Sequence, residues 1–153
     1  MTATTFPTLL QRFFTDRLCT QMEASQHTIA GYRDTFRLLI RFASAQCGKP
    51  PTKLGIEDLD ADLIGDFLVH VETTRGNGAR SRNTRLAAIR SFFRYVAMTD
   101  PAWLLHCQRV LAMPNKRYVK RTVPFIDGRE IAAMRTAPDR STWAGRRDPV
   151  VLL

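Results

Sequence analysis

The sequence predicts an all-α protein: a small helical bundle followed by the mainly helical start of a second domain. Three observations carry this. Apolar residues recur at three- and four-residue spacing through successive stretches of the chain. Capping residues stand before these stretches, and glycine or proline stands after them. A length of 153 residues with 44% hydrophobic content suffices for one full domain with a real core and part of another.

The first helix is expected from Pro7 to about Met22, with Phe6, Leu9, Leu10, Phe13, Phe14 and Leu18 as its core stripe and Pro7 in the first turn. Ser25 can cap a second helix running to about Gln46, stopped by Gly48-Lys49-Pro50-Pro51. Its apolar face carries Ile29, Tyr32, Phe36, Leu39, Ile40 and Ala43, while Arg33, Arg37 and Arg41 form a basic ridge beside it. That ridge also reads as a solvated flank, with Asp34 screening Arg37. Asp60 can cap a third helix from Ala61 to about Thr73, whose exposed side is expected to carry Asp62, Asp66 and Glu72 and to face away from phosphate.

Arg75-Gly76-Asn77-Gly78 reads as a turn. Ser81 or Asn83 can then cap a fourth helix running through Thr84 to Val96 and ended by Asp100-Pro101. Leu86, Ile89, Phe93 and Val96 repeat as core, and the opposite side presents Thr84, Ala87, Ser91 and Arg94 in one stripe. A short fifth element, Ala102 to Leu111, closes the bundle. Residues 113–122, with two same-sign basic pairs and Pro114, read as a basic linker. Beyond it, Asp127 can cap a helix carrying Ile131 and Met134. The domain reading is therefore 1–112, linker 113–122, and 123–153 as the start of a second domain.

Charge points to the partner. The net charge is +9, but residues 1–72 sum to −2, residues 73–126 to +10 and residues 127–153 to +1. Asp100 is the one acidic residue between Thr73 and Ile126, so the excess is segregated, which general solubility does not require. A polyanion is the implied partner, nucleic acid first. On the fourth helix, small side chains let the backbone approach a major groove, while Arg80, Arg82, Arg85, Arg90 and Arg94 can reach phosphates or guanine edges. Lys116, Arg117, Lys120 and Arg121 can contact phosphates if the linker crosses a DNA backbone, although a plain surface loop has the same composition.

Other classes find little support. Cys19, Cys47 and Cys107 are odd in number, without a CxxC pair, so a reducing cytosol is expected rather than a disulfide framework, and no zinc-type ligand spacing occurs. No signal-peptide layout or membrane-spanning apolar run is present.

Four stretches together resemble the tyrosine recombinase (phage-type integrase) family. Ser25-Gln26-His27-Thr28-Ile29-Ala30-Gly31-Tyr32 is similar to the family's Ser-x-x-Thr-x-x-x-Tyr helix opening. Arg82 through Val96, with Ala88-Ile89-Arg90-Ser91-Phe92-Phe93, resembles its Ala-Ile/Leu-Arg-x-Phe-Phe helix. Val123-Pro124-Phe125-Ile126-Asp127-Gly128-Arg129-Glu130 resembles the Leu-Thr-x-x-Glu entry to the catalytic domain, with Ile126 and Asp127 in place of Leu and Thr. Gly145-Arg146-Arg147-Asp148 resembles the helix start that leads to the first catalytic arginine.

The resemblance implies a SAM-like core-binding domain that, with the catalytic domain, clamps duplex DNA. It implies Thr28, Arg33, Arg37, Arg90 and Arg94 as groove and backbone contacts. It implies a chemistry of tyrosine nucleophile, two arginines, and Lys and His/Trp partners, for which no position of this sequence is a candidate. Tyr32, Tyr95 and Tyr118 do not match the nucleophile, and Arg146 and Arg147 precede the catalytic arginine. The expectation is thus a cytoplasmic, double-stranded-DNA-binding segment that ends before the catalytic residues. No metal, cofactor or small-molecule substrate is expected, and copies can assemble on DNA. The rival readings are a stand-alone DNA-binding regulator or nucleoid-type protein, and an adaptor for an acidic protein partner.

Overall fold

The computed structural model describes residues 5–76, 78–119, 127–139, 141–144, 146 and 147. It divides into two compact units, Met1–Tyr118 and Val119–Leu153. All the regular elements among the described residues are helical. Residues 113–118, read from the sequence as linker, group with the first unit.

Helix α1 spans Phe6–Arg12 and continues directly into a wider π-helical segment, Phe13–Gln21. The widening follows from the sequence. Phe6, Leu9, Phe13 and Leu18 are all buried, and the last pair stands five residues apart, the spacing of a π turn. An α-helical continuation would have turned Asp16 or Arg17 inward instead. Helix α2, Gln26–Cys47, begins at Ser25, whose side chain accepts from the Thr28 N–H, and ends at Gly48 with φ 62°. Helix α3, Ala61–Arg75, begins at Asp60, which accepts from the Leu63 N–H, and ends at Gly76 with φ 60°. The left-handed φ at these two C-termini is where glycine costs least.

Helix α4, Ala79–Thr99, starts earlier than the capping residues suggested: Gly78 is its N-cap, and Ser81 and Asn83 lie inside it. Asn83 is unavailable as a cap because its amide is committed to another segment. A 3₁₀ turn, Pro101–Trp103, leads into α5, Leu104–Leu111.

The core of the first unit is one cluster fed by every helix from α1 to α5. At its centre Phe13, Phe36 and Phe92 meet edge to face, with centroids 5.2–6.3 Å apart. Leu86, Ile89, Phe93 and Val96 are fully buried as the spacing predicted, and Ala88 and Phe92 join them. The buried side of α4 is broad because α2, α3 and α5 all pack on it.

In the second unit α6, Gly128–Thr136, is closed by a capping box. Asp127 accepts from the N–H groups of Arg129 and Glu130, and the Glu130 carboxylate accepts from the Asp127 N–H. Ile131 and Met134 are about half exposed on it. The Arg147 guanidinium lies 5.3 Å from the Trp143 ring centroid. Val123 to Ile126 and Pro149 to Leu153 lie outside the described residues.

Candidate nucleic-acid interface

Helical periodicity sorts the arginines of α4 into three groups. Arg80, Thr84, Ala87 and Arg94 are exposed and Ser91 is half-buried, forming the stripe opposite the core. Thr84 is tied locally, its hydroxyl donating to the Arg80 carbonyl at 3.1 Å. Arg85, which the sequence reading placed among the DNA contacts, points the other way. Its guanidinium donates to Asp34 of α2 at 3.1 Å, and only 15% of its side chain is exposed. Arg85 therefore joins α2 to α4, because its position falls on the buried flank of the helix rather than on the stripe. Arg90 is half-buried and donates to Asn115 at 3.1 Å.

On α2, Arg33, Arg37 and Arg41 are exposed at four-residue intervals. Arg37 is held by Asp34 at 2.8 Å, as the screening alternative had it. Asp34 thus sits at the seam, shared by one arginine from each helix. Partial burial pushes its carboxyl up, but the hydrogen bonds from Arg85 and Arg37 outweigh that and hold it below the ordinary value. Thr28 serves the helix start: its N–H and hydroxyl both engage Ser25 Oγ, at 3.2 and 3.0 Å. It stands five residues from Arg33, on a different side of α2 from the ridge.

The segment after α5 forms a strap against α3 and α4. Glu72 of α3 was expected to be exposed. Instead it is 15% exposed and accepts from Lys116 at 3.0 and 3.2 Å, with Arg82 at 3.8 Å. A carboxylate in that position needs cations around it, and the strap and α4 each supply one. Arg117 is exposed, and Lys120 and Arg121 lie outside the described residues.

Two carboxylates therefore engage four of the predicted cations: Asp34 holds Arg37 and Arg85, and Glu72 holds Arg82 and Lys116. Each cluster keeps one positive charge in excess. Arg33, Arg41, Arg80, Arg94 and Arg117 are exposed with no ion pair among the described residues. Arg75 is the last residue of α3, where the sequence predicts a turn. It lines a groove of about 370 Å³ with Arg41, Gln46, His70 and Phe42. Among the described residues no group of three or more His, Cys, Asp or Glu could hold a metal ion, and no helix is long and apolar enough to cross a membrane.

Residues 10–98 match the phage integrase N-terminal SAM-like domain. The chain belongs to the phage integrase, or tyrosine recombinase, family. Relatives of this integrase-family chain include two Sinorhizobium fredii proteins named as integrase/recombinase. It is 51% identical over 145 residues to y4rC, covering 95% of this chain and 44% of the relative. It is 45% identical over 145 residues to y4rD, covering 95% and 52%. A protein of Rhodospirillum centenum named tyrosine recombinase XerC is 30% identical over 130 residues, covering 82% of this chain and 36% of the relative. The chain thus spans about half the length, or less, of these relatives. No solved structure matches it significantly.

Proposed function

We propose that the first unit binds duplex DNA and is the DNA-holding segment of a site-specific tyrosine recombinase. The observation that carries this is the exposed stripe of α4. Small side chains at Thr84, Ala87 and Ser91 lie between Arg80 and Arg94, which have no ion-pair partner among the described residues. A helix with that face can lie deep in a major groove, with its arginines at the edges reaching phosphates or guanines. The α2 ridge, through Arg33 and Arg41, supplies further phosphate contacts, and Arg117 adds one from the strap. Arg82, Arg85 and Lys116 support the fold of this surface, and their contribution to DNA is through the charge they leave unneutralised. The proposal assigns no residue of this chain to strand cleavage, and needs no metal or cofactor here. It extends to assembly of copies on DNA in a cytosolic setting, with no small-molecule substrate.

The test is a mobility-shift assay on duplex DNA with Arg80→Ala/Arg94→Ala. The double variant is expected to lose about tenfold or more in affinity at physiological salt, at roughly 1 kcal/mol or more for each lost contact. Binding as tight as that of the parent chain overturns the groove-facing assignment of α4.

A further inference from the structure

The strap is held by its backbone as well as by charge. Met113 packs against the core beside Gly65 of α3, its Cε 4.0 Å from where a Cβ at that glycine would stand. Three residues on, the Asn83 side chain engages both main-chain groups of Lys116: Nδ2 donates to the carbonyl at 2.7 Å, and Oδ1 accepts the N–H at 2.9 Å. The amide thereby acts as one rung of a strand partner would, satisfying a donor and an acceptor together. Glu72 grips the Lys116 ammonium with both oxygens, and Arg90 donates to Asn115. Residues from two helices thus converge on two consecutive strap residues. Nothing about the strap's composition requires such an arrangement, since a solvated loop needs no side chain to pair its backbone.

Asn83 also has a particular place on α4. Its surface neighbours one turn away, at i−3 and i+4, are Arg80 and Ala87, both in the exposed stripe. Arg117 follows Lys116 directly. We infer that Asn83 is a positioning residue: by clasping Lys116 it holds the strap along α4 and presents Arg117 beside the stripe, to the same DNA backbone. This rests on the DNA-binding reading above. Without the clasp Arg117 sits on a looser tether, and ordering that tether on DNA weakens binding.

The experiment uses the full chain and Asn83→Ala, with Asn83→Gln as a second variant that keeps an amide but moves it by one methylene. Alanine favours a helix interior, so folding is preserved and a thermal melt checks it. Trypsin cleavage after Lys116 and Arg117, and hydrogen exchange at the Lys116 amide, report the clasp without DNA. Both are expected to accelerate by about tenfold in each variant, following the opened fraction. Affinity for a duplex is expected to fall about threefold. Arg117→Ala is expected to cost about fivefold in the parent chain and under about twofold in the Asn83→Ala background, the coupling that a positioning role requires.

Unchanged cleavage and exchange would show that the clasp does not hold the strap. Faster cleavage with fully additive DNA effects would show that it holds the strap but positions nothing. If the parent chain fails to bind DNA, the functional reading and the positioning role fall together, while the cleavage difference still registers the clasp.

Discussion

Replacing Arg85 and Arg94 separately by alanine distinguishes an arginine that builds the surface from one that uses it. Arg85 is 15% exposed and ties α4 to Asp34, itself 36% exposed and also held by Arg37. Removing Arg85 leaves Asp34 one partner, so no charge is orphaned, and with the carboxylate end still about a third exposed the pair contributes about 0–1 kcal/mol. Loss of the packed aliphatic stem adds roughly 1 kcal/mol. The sum, about 1–2 kcal/mol, lowers the thermal midpoint of a bundle of this size by roughly 5–10 °C. DNA affinity measured well below that midpoint should change less than about twofold. Arg94 is exposed with no ion-pair partner among the described residues, so its removal should leave stability within about 0.5 kcal/mol of the parent. Its cost falls on DNA: about five- to tenfold in affinity, with the salt slope reduced by about 0.9 if it meets a phosphate. Thermal melts and mobility shifts on the same preparations check both halves. If Arg85→Ala leaves the melt unchanged but weakens DNA binding as much as Arg94→Ala, the assignment of Arg85 to the helix seam is wrong.

Acid should destabilise the bundle with a definite sign. The backbone N–H of Gly55 and then Lys49 hold the Asp58 carboxyl below its ordinary value, and Asp34 is held low by its arginines against partial burial. Stability from such groups is present above the ordinary carboxylate pKa of about 4 and is lost as pH falls through the lower folded values. The thermal midpoint should stay level from about pH 7 to 5 and drop below about pH 4, with a shallower drop in Asp58→Asn; a melt independent of pH down to about 3 contradicts this. Burial pushes the Cys107 thiol up to about 11, whereas Cys19 is exposed. A thiol reagent at neutral pH should therefore label Cys19 quickly and Cys107 only on unfolding, as peptide mapping would show. Phe92→Ala removes a fully buried ring in edge contact with Phe6, Phe13, Phe36 and Phe93 and should cost about 3–5 kcal/mol in denaturant melts; a loss under about 1 kcal/mol would mean the cluster repacks.

Helix starts were legible wherever the capping side chain had no other engagement. Ser25, Asp60 and Asp127 all cap as their local sequence indicates, since an Ncap bond needs only residues two or three positions ahead. Asn83 looked equally suitable and failed as a cap because Lys116, 33 residues away, takes both ends of its amide. The same distinction governs the interface. Exposure of Arg80 and Arg94 followed from helical period alone. The inward turn of Arg85 toward Asp34 and the partly buried place of Glu72 depended on which helix packs on which flank, and one-dimensional spacing does not carry that. The π turn had a local signal, the five-residue interval from Phe13 to Leu18, which a fixed 3.6-residue period passes over.

The most direct measurement is the salt dependence of duplex binding. Arg33, Arg41, Arg80, Arg94 and Arg117 are exposed and outside the ion pairs among the described residues, and each neutralised phosphate contributes a slope of about −0.9 in log affinity against log salt. A slope of about −4 to −5 is predicted, a loss of roughly 250- to 1,000-fold between about 50 and 200 mM salt, becoming shallower by up to about 2 in Arg80→Ala/Arg94→Ala. Binding that is indifferent to salt, or a slope the double variant leaves unchanged, would contradict the claim that this basic surface holds the DNA backbone.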